Sequence, residues 1–236
     1  MPLTQESAKI QVHALLQDVT RDGIAMLVAA LDNSDYFQAP ASTCFHDAIP
    51  GGLAIHSLKV YELFKAKVEA FNLALNNESI ILVSILHDLC KVGYYKQTSE
   101  PMTDKQRKFL YDLVIKAGED VNQYAKATTR YASALIDYYK GETNVKPVPT
   151  IEFSVDDRFP IGHGEKSLIL ASKYLNLTEE ESCIIRWHMG TYDISTCFDY
   201  PNGNKKTLDN AIKLYPSIVA FITADFESAH LIKTGW

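Results

Sequence analysis

The chain has 236 residues, 47% of them hydrophobic and 22% charged, and a formal net charge of -6. That length is enough for one sizeable core and demands no second domain, and the composition excludes a disordered chain. The acidic balance excludes an electrostatic grip on long nucleic acid, which needs a basic face and here has only a local basic pocket open to it.

Residues 7–31 read as one or two helices broken near Asp22-Gly23, with Ile10, Leu15, Leu16, Ile24, Leu27 and Val28 as apolar anchors. Residues 32–52 carry Asn, Ser, Pro and Gly punctuation and read as a loop. A helix follows over 53–71, where Leu53, His56, Val60 and Phe64 share the apolar stripe, so His56 points inward. In a helix over 79–90, Ile80, Val83, Ser84 and His87 fall at i, i+3, i+4 and i+7, which turns a second imidazole inward. Asp88 sits one residue further round. An ionised carboxylate beside a buried imidazole is costly unless a cation or a full set of hydrogen bonds compensates it.

Residues 91–101 read as a polar connection, and 103–118 and 122–139 as helical and rich in tyrosine and lysine. Prolines 147, 149 and 160 and the alternation Ile151-Glu152-Phe153-Ser154-Val155 point to a small β-hairpin or irregular flap near 145–160. Gly162-His163-Gly164-Glu165-Lys166-Ser167 opens a helix running to 174. Thr178 with Glu181 three residues on has capping-box spacing, starting a helix that carries Ile184 and His188 on one face and ends at Met189-Gly190. Helices over 207–214 and 216–230 close the chain, the last with Ile218, Phe221, Ile222 and Asp225 on an inward stripe. The expected class is therefore all-α, without internal repeats.

No apolar run can span a bilayer, and Met1 to Ser7 shows no basic stretch leading into an apolar one, so no secretory signal is read there. The four cysteines, Cys44, Cys90, Cys183 and Cys197, form no Cys-x-x-Cys pair, which fits reduced thiols in a cytoplasm and not a cysteine-held structural zinc.

Metal-competent groups thus stand where the pattern calls for leucine: His56, His87, Asp88, His188 and Asp225, with His163 at a helix start. A single inward histidine is more often a hydrogen-bonded core residue; the same anomaly on several independent helices marks a functional site. Imidazole and carboxylate ligands suit one or two ions of manganese, iron, zinc or nickel, whereas an all-oxygen shell suits magnesium.

The order His56, His87-Asp88, His163, His188, Asp225 resembles that of the HD-domain metal-dependent phosphohydrolase superfamily, over about residues 46–230. Pro50-Gly51-Gly52-Leu53-Ala54-Ile55-His56-Ser57 is similar to the Gly-Gly-Leu-x-x-His opening of HD proteins related to bacterial 3′-to-5′ exoribonucleases. His87-Asp88-Leu89-Cys90-Lys91 resembles the His-Asp-x-x-Lys signature. The Gly-Tyr-Pro motif of HD cyclic-dinucleotide phosphodiesterases and a preceding OB-fold domain are both absent.

The resemblance implies a single HD helical bundle over 1–236: a packing segment at 1–45, a metal-site core at 46–100 and 160–236, and a helical insertion with flap at 101–159. It assigns His56, His87, Asp88 and Asp225 to one metal and, in the two-metal branch, has Asp88 bridge to a second held by His163 and His188. The implied activity is hydrolysis of a phosphoester of a nucleotide, cyclic nucleotide or short phosphodiester by metal-activated hydroxide, which Asp88 would orient. Lys91 and Lys166 are the candidate phosphate clamps, with Arg158 and Arg186 as further grips. His163, at a helix N-terminus, could instead touch phosphate in a one-metal enzyme. His46, in the second His-Asp dipeptide, lies in a Pro/Gly loop, either behind the ligands or facing substrate. Tyr94, Tyr95 and the tyrosines between 111 and 139 either wall a base or pack a core. Two other classes use the same residues: a di-iron oxygenase on the same fold, and a catalytically silent metal- or nucleotide-binding module. The expected partner is a small phosphorylated molecule, not a membrane, and the oligomeric state is left open.

Overall fold

The computed structural model describes residues 3–193 and 203–232; Cys197 lies outside them. Helices α1 (Gln5–Gln17) and α2 (Ile24–Asp32) are the pair expected over 7–31. Thr4 caps α1 by accepting from the Ser7 N–H, and the Ser7 hydroxyl accepts from the Thr4 N–H in return. The break falls at Gly23, whose φ is +93° and where a Cβ would stand 1.9 Å from the Tyr174 carbonyl oxygen. Only glycine satisfies both conditions there.

Helix α3 (Gly52–Ala70) carries the expected stripe, with Leu53, His56, Val60 and Phe64 all buried. Helix α4 (Asn77–Leu86) starts on an Asn76 cap and is buried along nearly its whole length. It stops four residues short of the expected end. His87 is its C-cap, Asp88 leaves helical geometry at φ -104°, and Leu89–Lys91 form a 3-10 turn. The 3-10 turn sets Lys91 over Asp88, since residues three apart eclipse there.

The chain divides into two compact units, residues 1–96 with 155–236, and residues 97–154. Strands β1 (Tyr95–Thr98) and β2 (Glu152–Val155) pair antiparallel where the chain passes from one unit to the other and back. The strand expected at 151–155 is thus present, and its partner lies in the stretch read as a polar connection. A four-residue strand whose two middle positions, Lys96 and Gln97, are exposed has too little apolar signal to stand out there. The second unit holds α5 (Asp104–Lys116), a 3-10 turn at Val121–Tyr124 and α6 (Thr129–Tyr139), around a core of Met102, Leu110, Val114, Tyr124, Ala127, Ala132 and Leu135. Tyr124 and its neighbours Tyr131 and Tyr139 pack this core.

In the first unit α7 (His163–Ala171), α8 (Glu179–Trp187), α9 (Gly203–Leu214) and α10 (Ser217–His230) complete the bundle, with α3 packed between α10, α4 and α1. Phe64 of α3 meets Phe221 of α10 edge to face, ring centroids 4.9 Å apart. Each such buried ring contributes on the order of 2–3 kcal/mol through burial alone. The Thr178 capping box forms as expected, and its Glu181 is itself fully buried, accepting two 2.6 Å bonds from the Arg21 guanidinium. That fork ties the start of α8 to the α1–α2 turn. No helix among the described residues is long and apolar enough to cross a membrane.

Candidate metal centre

Two glycines set the position of His56. Gly51, with φ +76°, turns the chain into α3, and a Cβ on Gly52 would lie 1.9 Å from the Asp47 carbonyl oxygen. The close approach seats the 33–51 loop on the first turn of α3. Asp47 then reaches Lys59, with Nζ donating to both carboxylate oxygens at 2.9 and 3.0 Å. So the second His-Asp dipeptide splits: Asp47 anchors the loop, and the His46 ring lies 4.8 Å from the His56 ring, centroid to centroid.

Asp88 is the hub, and its two oxygens face opposite groups. Oδ2 lies 3.6 Å from His56 Nε2, 3.4 Å from His87 Nε2 and 2.6 Å from Lys91 Nζ. Oδ1 lies 2.8 Å from His163 Nε2 and 3.6 Å from His188 Nε2. Asp225, on the inner face of α10, puts Oδ1 3.0 Å from His56 Nε2, and the Nε2 atoms of His56 and His87 are 3.3 Å apart. All six expected ligand residues therefore come together. Asp88 divides them into His56, His87 and Asp225 on one side and His163 and His188 on the other.

The far nitrogens are held as well. His87 Nδ1 is 2.8 Å from the Ser84 carbonyl and His188 Nδ1 is 2.7 Å from the Ile185 carbonyl. A carbonyl only accepts, so both rings carry a proton on Nδ1, which leaves Nε2 as the atom each turns toward Asp88. His56 Nδ1 meets the Ser228 hydroxyl at 3.1 Å. Lone pairs of imidazole and carboxylate facing one another in a buried space repel, and a cation between them removes the conflict. His188 Nε2 shows the problem most directly: it is buried and has no hydrogen-bond partner. The donor set thus fits a metal. Two groups bring their donor atoms within 4.8 Å of one another, His56 with His87 and Asp88, and Asp88 with Cys90 and His163.

Asp88 and Asp225 are balanced by the surrounding imidazoles and Lys91: burial would lower His87, but the Asp88 charge outweighs it and raises the ring. Burial pushes Asp88 up, but the Lys91 and His87 charges and the hydrogen bond from His163 hold it well below the usual carboxylate range. Burial likewise opposes Asp225, and the His56 hydrogen bond and charge bring it down. Burial lowers His188, which the Asp88 charge only partly offsets, and burial with the His56 charge takes His46 down to about 4. Burial would lower His163 too, but its bonds to Asp88 and Cys90 outweigh it and raise the ring to about 10.

The expected phosphate clamps fall in different places. Lys91 is buried on Asp88, as described. Lys166, one turn after His163, is buried with Nζ 2.6 Å from Asp157 Oδ1 and 4.9 Å from the Tyr94 ring centroid. Arg158 is exposed and pairs with Asp156 at 3.0 Å. Arg186 pairs with Glu165 and stacks on Trp187, its guanidinium carbon 3.9 Å from the ring centroid. His46 turns a buried, unpartnered Nε2 inward. Tyr95 donates its hydroxyl to the Ala41 carbonyl at 3.4 Å.

Sequence reasoning missed Cys90 and Ser228. Ser228 follows Asp225 by three residues on α10 and is fully buried, so a small polar residue one turn from an inward carboxylate was the available signal. Cys90 had none, since a buried thiol reads as a small hydrophobe. Comparison with protein-family models, with curated proteins and with solved structures gives no match to this chain.

Proposed function

We propose that the chain is a metal-dependent phosphohydrolase of the HD superfamily acting on a nucleotide, cyclic nucleotide or short phosphodiester. The observation that carries this reading is the two-sided use of Asp88, with His56, His87 and Asp225 gathered at one end and His163 and His188 at the other. His56, His87, Asp88 and Asp225 would hold one divalent ion, and Asp88, His163 and His188 a second. Ions there supply charge to a phosphoryl oxygen and lower the pKa of a coordinated water.

The chain's own residues then have distinct tasks. Ser84 and Ile185 carbonyls hold the Nδ1 protons of His87 and His188, so Nε2 is the atom each ring would offer to a cation. Lys91 shares Asp88 Oδ2 with the ligands. With that oxygen committed to a metal, the Lys91 ammonium would be free to turn to a substrate phosphate. His46, neutral at pH 7 and with an open Nε2, sits beside His56 to accept a hydrogen bond from a substrate hydroxyl. Lys166 reaches phosphate only after leaving Asp157, which makes it a secondary grip.

The test is turnover of bis-p-nitrophenyl phosphate and of a nucleotide and cyclic-nucleotide panel with manganese, iron, zinc, nickel or magnesium. Hydrolysis that disappears in His87→Ala and Asp88→Ala is the expected result. Absence of turnover with every metal and substrate overturns the reading, and oxygen uptake by the iron-loaded protein without phosphate release moves it to the oxygenase class.

A further inference from the structure

Cys90 lies two residues after Asp88, on the 3-10 turn that also carries Lys91, and is almost fully buried. Its backbone N–H donates to Ser167 Oγ at 3.1 Å, and Ser167 is one turn after His163 on α7. The turn is therefore fastened to the helix that presents His163. Cys90 Sγ lies 3.3 Å from His163 Nδ1 and 3.5 Å from Nε2. Near-equal distances leave the sulfur shared between the two ring nitrogens and not committed to one of them, and Nε2 is already on Asp88 Oδ1 at 2.8 Å. The sulfur is a further donor atom next to the His163 end of Asp88. Sγ, a His163 nitrogen and an Asp88 oxygen all lie within 4.8 Å of one another. A second observation points to an ion at the same end: His188 Nε2, buried and unpartnered, faces the same Asp88 Oδ1 at 3.6 Å.

We propose that Cys90 is a metal ligand, its sulfur joining Asp88 and His163 to make this end of the centre a mixed sulfur, nitrogen and oxygen position. The inference rests on the metal-centre reading above and goes beyond it in naming a ligand and the ion class it selects. With His188 the donors number four, a set that suits the borderline-soft ions zinc, iron(II) and cobalt(II) and disfavours magnesium. Binding exchanges the thiol proton for the ion, and the proton goes to solvent. The two ends of Asp88 then differ in kind, one built of nitrogen and oxygen alone and the other including sulfur.

Cobalt(II) titration of the whole chain tests this, because cobalt bound by thiolate adds an intense near-ultraviolet charge-transfer band to its visible ligand-field bands. The expected result is that band in the wild-type protein, lost in Cys90→Ser with ligand-field bands retained, and kept in Cys44→Ser. Ligand-field bands without the charge-transfer band, or a band that survives Cys90→Ser, overturn the assignment of Cys90 and leave the metal centre standing. Absence of any cobalt bands in the wild type sinks the centre and the proposal with it. Zinc-edge X-ray absorption of the unmodified zinc-loaded protein gives the same answer without a variant. A sulfur shell at about 2.3 Å is expected, and nitrogen and oxygen shells alone overturn the proposal.

Discussion

His56 and Asp225 meet at 3.0 Å, Nε2 to Oδ1, across the packing of α3 on α10. Each is a polar position on an otherwise apolar helix stripe, and the contact joins them at the centre of the bundle. Asp225→Ala removes a charge-assisted hydrogen bond and should destabilise the metal-free chain by about 1.5–3 kcal/mol in urea denaturation. It should also abolish the metal-dependent rise in melting temperature. In the wild type a metal at a hundredfold excess over its Kd adds about 2.7 kcal/mol, reversed by chelator. An equal rise in the variant would show that Asp225 is not a ligand.

Ser228 touches His56 at the nitrogen turned away from Asp88. Ser228→Ala leaves the ligands in place and frees the ring to rotate, so metal affinity or turnover should fall by about 10–100-fold. Competition titration against a chromogenic chelator reads this directly. An unchanged Kd would mean that packing alone orients His56.

Gly52→Ala places a methyl group against the Asp47 carbonyl, 1.9 Å away where van der Waals contact needs nearly twice that. The loop or the first turn of α3 must shift, at about 1–3 kcal/mol by thermal or urea denaturation. Because His56 lies one turn further along α3, metal affinity should fall together with stability. Loss of stability with full affinity would separate the loop from the centre.

Glu181 is held below its ordinary value of 4.5: burial opposes this, and hydrogen bonds from Arg21, Ser79 and the Thr178 backbone, with the Arg21 charge, override it. A carboxyl with a lowered folded pKa gives stability that is whole above its unfolded value and is lost as pH falls through the folded one. Stability should therefore decline as pH drops below about 4.5, and Arg21→Met should flatten that acid slope while lowering stability at pH 7. Urea midpoints measured from pH 3 to 7 give the comparison. A parallel slope in the variant would assign the acid sensitivity to other carboxylates.

Much of this was legible in the chain itself, for physical reasons that act over a few residues. Helical periodicity put His56, His87, His188 and Asp225 on inward faces, since burial along a helix repeats every three to four residues. The Thr178-Glu181 spacing placed the start of α8, because a cap depends only on neighbouring backbone N–H groups. The all-α class followed from the sum of such signals. Distance along the chain decided the rest. That Asp88 turns one oxygen to His56 and His87 and the other to His163 and His188, that β2 pairs with β1, that Asp47 holds Lys59 while His46 faces His56, and that the Cys90 sulfur lies against His163 all depend on contacts between remote segments. Local pattern tells which way a side chain points; only packing of whole helices determines what it meets, because the partner is chosen by the fold and not by any neighbour in sequence.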